Sequence, residues 1–250
     1  MRDQSGNISV FEPNTSALTE SFSINNSGDV TGYFIDASEN NKQRGFVRRT
    51  NTIPPVTTAV TRPKPNGWNN TNVIIALNAT DPGGPGVKQI QFALGGAQNT
   101  SWQAVAGNAA SVTISAEGTT ILSYFATDNA GNQETAKALT IRIDKTPPTV
   151  SGLPTRECII WPPNHKLVKV ATVMAADALS GLAPGSFKIT GTSNDSANGQ
   201  LVITGGPSEF LVQLGADKDQ VYTLTATASD LAGNIITQQA TCTVPHDQGH

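Results

Sequence analysis

Charge is scarce in this 250-residue chain. Only 14% of residues are charged, and 16 Lys and Arg against 19 Asp and Glu leave a formal net charge of -3. The cations are scattered and form no basic stripe, so the electrostatic footprint of nucleic-acid binding is missing and no nucleic-acid partner is expected. Long apolar runs are missing too. Nothing approaches the roughly 20 consecutive apolar residues that span a bilayer, and Met1 to Val10 lacks the charged-then-apolar pattern of a signal peptide. No stretch carries the spacing of a long amphipathic helix. There is no Gly-x-Ser-x-Gly elbow, and the acidic residues sit mostly in turns. Of the three histidines, His165 lies in a turn and His246 and His250 in the tail, where nothing orients them. Nucleophilic triads, paired-carboxylate glycoside hydrolysis and transition-metal sites therefore find no support, and no enzyme is expected.

What the chain does have is Ser, Thr, Asn, Gly and Val, a composition that favours short strands and turns. Its length suits two domains of roughly 100 residues with some chain left over. Comparing the chain with itself reveals a repeat: Ala126-Thr127-Asp128-Asn129-Ala130-Gly131-Asn132 returns as Ala228-Ser229-Asp230-Leu231-Ala232-Gly233-Asn234, an offset of 102 residues. Each copy sits between alternating strands and reads as a hairpin turn. Upstream of each lies an acidic turn, at Asp81 in the first copy and Asp177 in the second.

The expected fold is all-β: two tandem Ig-like β-sandwiches behind an N-terminal blade-like antiparallel meander. The domains are read as 1–50, 54–145 and 149–245, with a tail at 246–250. Strands are predicted near 56–60, 73–80, 87–94, 111–115, 121–127 and 139–143, then near 168–175, 187–190, 201–204, 210–214, 221–228 and 235–244. Between the sandwiches, Asp144-Lys145-Thr146-Pro147-Pro148-Thr149 forms a short joint whose prolines fix φ and keep the domains end to end.

Asn66-Gly67-Trp68, the Asp81 turn, the Asp128-to-Asn132 turn and the closing Ile143-Asp144-Lys145-Thr146-Pro147-Pro148 resemble the bacterial Ig-like domains found in tandem in exported adhesins and in accessory regions of secreted hydrolases. The resemblance is close over 54–148 and looser over 149–245, where Trp161-Pro162-Pro163-Asn164-His165-Lys166 replaces the Gly-Trp start. Residues 24–36 together with Arg44-Gly45-Phe46 resemble one unit of the bacterial extracellular repeat family named HAF, whose repeats look like propeller blades. The usual His-Gly-Phe is Arg-Gly-Phe here, so no role of that histidine carries over. A lone repeat of this kind cannot bury both faces, and the chain is expected to be the C-terminal remainder of a longer protein or a fragment whose first blade packs poorly on itself. The resemblances imply an extracellular or cell-surface location, with the export signal outside this chain.

Three sets of residues carry chemistry. Cys158 and Cys242 show no C-x-x-C metal spacing and fall on strands near opposite ends of one domain, so a disulfide is expected if the compartment is oxidising, and two buried thiols otherwise. The turn residues Asp81, Asp128, Asn132 and Asp144, with Asp177, Asp230 and Asn234, are candidate oxygen ligands for calcium, which takes six to eight such atoms. The same residue types also cap their own turns without a metal, and no cofactor is strictly required. Trp68 and Trp102 are candidate sugar-stacking residues, while Tyr124 reads as core. Two functions follow: a structural, spacer or adhesion region whose partner is an extracellular glycan or matrix protein, or a carbohydrate-binding accessory region of a secreted polysaccharide-degrading enzyme.

Overall fold

The computed structural model describes residues 16–24, 30–48, 51–62, 67–154, 157–195, 197 and 199–246. Asn66, the turn at 26–29 and His250 lie outside them. Alternation decides the elements: Val73, Ile75, Leu77 and Ala79 are buried while the residues between them are exposed, the period-2 signature of a strand with one face in a core. The described chain is all-β apart from a single 3-10 turn at Ala37–Glu39.

β1 (Ser16–Ile24), β2 (Val30–Asp36) and β3 (Lys42–Arg48) form an antiparallel meander. Asp36 closes its β2–β3 turn by accepting from the Ser38 amide at 3.0 Å and hydroxyl at 2.6 Å. Arg44 reaches back to Asp36 at 3.4 Å and to Glu39, so this arginine locks the turn.

The first sandwich comprises β4 (Val56–Arg62), β5 (Trp68–Asn69), β6 (Val73–Thr80), β7 (Val87–Gly96), β8 (Thr100–Ala106), β9 (Ala109–Ile114), β10 (Gly118–Asp128) and β11 (Lys137–Ile143). Its sheets, β4-β6-β9 and β5-β11-β10-β7-β8, enclose a core that includes Ile75, Leu77, Ile90, Leu122 and Ile141. The second comprises β12 (Thr149–Ser151), β13 (Cys158–Ile159), β14 (Leu167–Ala176), β15 (Lys188–Ser193), β16 (Leu201–Gly206), β17 (Glu209–Gly215), β18 (Val221–Ser229) and β19 (Ile235–Thr243). Its sheets, β12-β14-β17-β16 and β13-β19-β18-β15, enclose a separate core around Val173, Leu214, Tyr222 and Leu224. Every predicted sandwich strand is present. β5, β8, β12 and β13 are additional, three of them because they are only two or three residues long, and β8 because all of its residues are exposed and give no alternation.

The two sandwiches differ in which neighbour β8 and β16 take. In the second, β16 joins β17, giving the four-plus-three arrangement of a constant-type Ig sandwich with a short extra strand. In the first, β8 joins β7 instead. Turn chemistry accounts for both. Gly96 donates its amide to Asn99 Oδ1 at 3.0 Å and accepts from Asn99 Nδ2 at 2.7 Å, and the Leu94 amide donates to Thr100 Oγ1 at 3.1 Å, folding β8 back onto β7. In the second sandwich Gly205 carries the hairpin between β16 and β17, where an added Cβ would lie 2.2 Å from the Glu209 carbonyl.

Cys158 and Cys242 are opposite each other in the parallel β13–β19 pair and form a disulfide. The bridge staples a two-residue strand to the last strand and closes a separation of 84 residues. Tyr222, fully buried at the start of β18, donates its hydroxyl to the Gly215 carbonyl at 2.9 Å, the corner contact typical of such sandwiches. Reduction of the bridge should cost the second sandwich about 4 kcal/mol on the chain-entropy model. Denaturant unfolding with and without reductant checks this. The transition of the first sandwich, which has no cysteine, should stay where it is.

Candidate functional site

The repeated turn is a knot of hydrogen bonds built the same way twice. Asp128 donates its amide to the Asn132 carbonyl at 3.0 Å and accepts from the Asn132 amide at 2.8 Å and side chain at 2.8 Å. In the second copy Asp230 and Asn234 repeat these contacts at 3.1, 2.8 and 2.6 Å. Gly131 and Gly233, with φ of 93° and 94°, supply the left-handed step that a Cβ would strain. The neighbouring acidic turns dock by backbone: Asn129 N donates to Gly86 O at 3.0 Å, and Leu231 N to Gly181 O at 2.9 Å. Asp81 and Asp177 brace those turns by accepting from Gly86 N at 2.9 Å and Gly181 N at 2.6 Å.

Each knot grips the residue that leads the chain into its own sandwich. In the first copy this is Asn51, whose carbonyl accepts from Asn132 Nδ2 at 3.0 Å and whose side-chain amide donates to Asp128 Oδ2 at 2.7 Å. In the second it is Asp144, whose carbonyl accepts from Asn234 Nδ2 at 2.9 Å. Sequence reasoning missed Asn51, although a signal was there: Asn51 stands three residues before Pro54-Pro55 as Asp144 stands three before Pro147-Pro148. The candidate ligand set therefore falls into two groups. Asp144 belongs with Asp177, Asp230 and Asn234, while Asp81, Asp128 and Asn132 are completed by Asn51.

The exchange of Asn for Asp changes the electrostatics of the joint. At the first knot a neutral amide satisfies the Asp128 carboxylate, and the site closes on itself. At the second, carboxylate oxygens of Asp144, Asp177 and Asp230 lie within 4.8 Å of one another, with Asp144 and Asp230 buried. Among the described residues no lysine or arginine pairs with any of the three. Asp144 is also held from both sides: its amide donates to Asn69 O in the first sandwich at 2.8 Å, and its Oδ2 accepts from Ser180 N in the second at 2.9 Å. Three like charges at this distance, two of them out of water, repel unless protonated or bridged by a cation. The oxygens present, carboxylates with nearby carbonyls, are the hard donors calcium takes.

In the first sandwich two carboxyls titrate below their ordinary range. Burial pushes Asp128 up, but hydrogen bonds from Asn132, Ala130 and Gly131 outweigh it and hold the group low. Burial likewise pushes Glu134 up, and the Lys137 ammonium, the Thr57 amide and the Ala126 amide together bring it down. Glu134 is 8% exposed, accepts from Thr57 N at 3.1 Å and Ala126 N at 3.0 Å, and pairs with Lys137 at 2.8 Å. It thus ties β4 to β10 across the edge of the sandwich.

The aromatic candidates separate. Trp68 is half-buried in β5 at one edge of the five-stranded sheet, and Trp102 is 50% exposed in β8 at the other. Four strand spacings put them about 19 Å apart, so they share no platform. Of the two, Trp102 presents its ring, resting on Phe125 with centroids 5.1 Å apart. Tyr124 is buried in the core, as expected. His165 contacts Asp217 at 2.6 Å and His246 contacts Asp219 at 2.9 Å, both at the surface. The hydrogen bonds of the described residues join neither ring to a Ser, Thr or Cys.

No family model and no curated protein matches the chain. Among solved structures it is similar to the fibronectin(III)-like modules of Clostridium thermocellum CbhA at 17% identity, covering 77% of this chain and 100% of that one with a TM-score of 0.32. It is similar to the D00-D0 domain of intimin at 12% identity, covering 75% and 99% with a TM-score of 0.36. A third is the sialic acid binding region of a Streptococcus sanguinis adhesin, at 12% identity, 80% and 79% coverage and a TM-score of 0.28. At such scores the fold rests on the strand pairing described above.

Because both carboxyls are depressed in the folded protein, the stability they contribute is present above their unfolded values, 3.8 for Asp and 4.5 for Glu, and is lost as pH falls through the folded ones. Glu134→Gln should therefore destabilise the first sandwich at neutral pH by about 1–3 kcal/mol and flatten its stability profile below pH 4.5. Denaturant unfolding of both proteins across the acid range measures the two effects.

Proposed function

We propose that this chain is a non-catalytic structural region of an exported bacterial surface or secreted protein: sandwiches locked end to end, with calcium bound at the second joint. The observation that carries this reading is Asp144. It is hydrogen-bonded by both sandwiches, and it replaces with a carboxylate the amide that Asn51 offers at the first joint. A spacer needs joints that do not swing, and a cation shared by Asp144, Asp177 and Asp230 stiffens such a joint. Export is supported by the Cys158–Cys242 bridge, since disulfides persist in oxidising compartments.

The alternative, a carbohydrate-binding accessory region, is favoured by one observation: Trp102 exposes its ring on an uncharged strand, braced by Phe125. Flat indole faces suit the apolar faces of pyranose rings. Glycan-array binding that disappears in Trp102→Ala, with melting unchanged, would select this reading over the pure spacer.

For the joint, a ligand bound only by the folded state raises stability by RT ln(1 + [L]/Kd), or about 2.7 kcal/mol at a hundredfold excess. Melting of the wild type should rise in millimolar calcium relative to chelator. Asp144→Asn should fold, because an amide at this place can donate to Asp230 as Asn51 donates to Asp128, and should lose the calcium response. An unchanged wild-type curve would overturn the metal and leave the aspartates as turn caps.

A further inference from the structure

The residues that join the sandwiches are not shared equally between them. Asp144 donates its amide to Asn69 O at 2.8 Å. Lys145 donates its amide to the Glu117 carboxylate and its Nζ to Ser115 O at 2.6 Å. The Thr146 hydroxyl bonds the same carboxylate, 3.0 Å from Oε1 and 3.2 Å from Oε2. Three consecutive residues are thus tied to the first sandwich, two of them through the β9–β10 turn that carries Ser115 and Glu117. Among the described residues, the second sandwich bonds this stretch through Asp144 alone, by the Ser180 amide on Oδ2 and Asn234 Nδ2 on the carbonyl, both at 2.9 Å.

The chain then passes to the second sandwich within a short span. Thr146 and Pro147 are exposed, while Pro148 is buried and Thr149 begins β12, which pairs with β14. A cavity of about 270 Å³ is lined by Thr146, Pro147 and Thr149 and by residues 176–179 of the second sandwich, so the linker bridges a gap there. Each proline fixes its own φ and favours an extended residue before it. Turning at this point is therefore small in range and confined to the bonds between Thr146 and Pro148.

We propose that Glu117 is the positioning residue of this joint. It makes Asp144, Lys145 and Thr146 a fixed extension of β11, so that the sandwiches part on the second sandwich's side, at Ser180 and Asn234, and pivot at Pro147. A single exposed hydrogen bond contributes little, but this carboxylate receives two donors from adjacent residues, and bonds to an ionised acceptor are the stronger kind. Glu117 also acts on Asp144 through Thr146, whose hydroxyl it holds while the Thr146 amide donates to Asp144 Oδ1 at 3.1 Å. That bond and the Asn69 contact set the direction in which the Asp144 carboxylate meets Ser180. The clasp goes beyond the spacer reading and stands whether or not the joint binds calcium.

Amide hydrogen exchange on the full 250-residue chain tests it. In the wild type the amides of Asp144 and Lys145 should both be protected. Glu117→Ala should speed exchange at Lys145 by about tenfold, the order expected for one hydrogen bond, and leave Asp144 and the melting of the first sandwich unchanged. Glu117→Gln keeps an acceptor oxygen and should restore the protection. Asn234→Ala releases the other side of the joint: both amides should stay protected, and residual dipolar couplings should show residues 144–146 moving with the first sandwich. If Asn234→Ala unfolds the second sandwich, the same protection is still expected, because its source is the first. Unchanged exchange at Lys145 in Glu117→Ala overturns the proposal, and so does loss of protection at either amide in Asn234→Ala.

Discussion

Asp144 is the residue on which the arrangement of the two sandwiches depends. Its amide is bound by Asn69 of the first sandwich and its carbonyl by Asn234 of the second, so two consecutive backbone groups of one residue are held by different domains. A linker of Pro-Pro alone stiffens φ but leaves ψ open. The double anchorage fixes what the prolines do not. Asn69 is itself oriented by donating Nδ2 to Arg142 O at 3.1 Å, so the hold on Asp144 extends back into β11. The short parallel strand β5 exists to place that carbonyl.

The same anchoring logic explains why the sandwich cores were readable and the joints only half so. Strands such as β6 and β11 present an apolar side chain at every second position, and burial follows from that pattern without reference to anything distant. The Asp128 and Asp230 turns were readable because a repeat of 102 residues exposes them. What they hold was not, because Asn51 lies 77 positions from Asp128 and its type differs from Asp144. A comparison that looks for identical residues passes over an Asn facing an Asp. The prolines that follow each were the better guide.

β8 was missed for a different reason. A strand whose residues are all exposed has no buried face, so periodicity carries no signal. Its existence is written in the turn before it, where Gly96 and Asn99 clamp each other, and in the amide of Leu94 meeting the Thr100 hydroxyl. Sending β8 to β7 rather than to β9 has a structural consequence. It gives sheets of five and three strands in place of four and four.

The scarcity of charge gives the joint its weight. In a chain with abundant lysine, three carboxylates in contact would recruit a side-chain cation, as Glu134 recruits Lys137. At the Asp144 joint the partners are backbone amides of Thr146, Leu179, Ser180, Gly181 and Asn234, the Ser180 hydroxyl and the side chain of Asn234. These dipoles orient the carboxylates and offset part of their desolvation, but a dipole does not cancel a net charge. Asp144 and Asp230, buried beside Asp177, therefore keep a mutual repulsion that these dipoles only reduce. The Asn51 joint has no such cluster, since its side-chain amide donates to Asp128 Oδ2 at 2.7 Å. The two joints of one chain thus differ in their electrostatics, through the exchange of a single amide for a carboxylate.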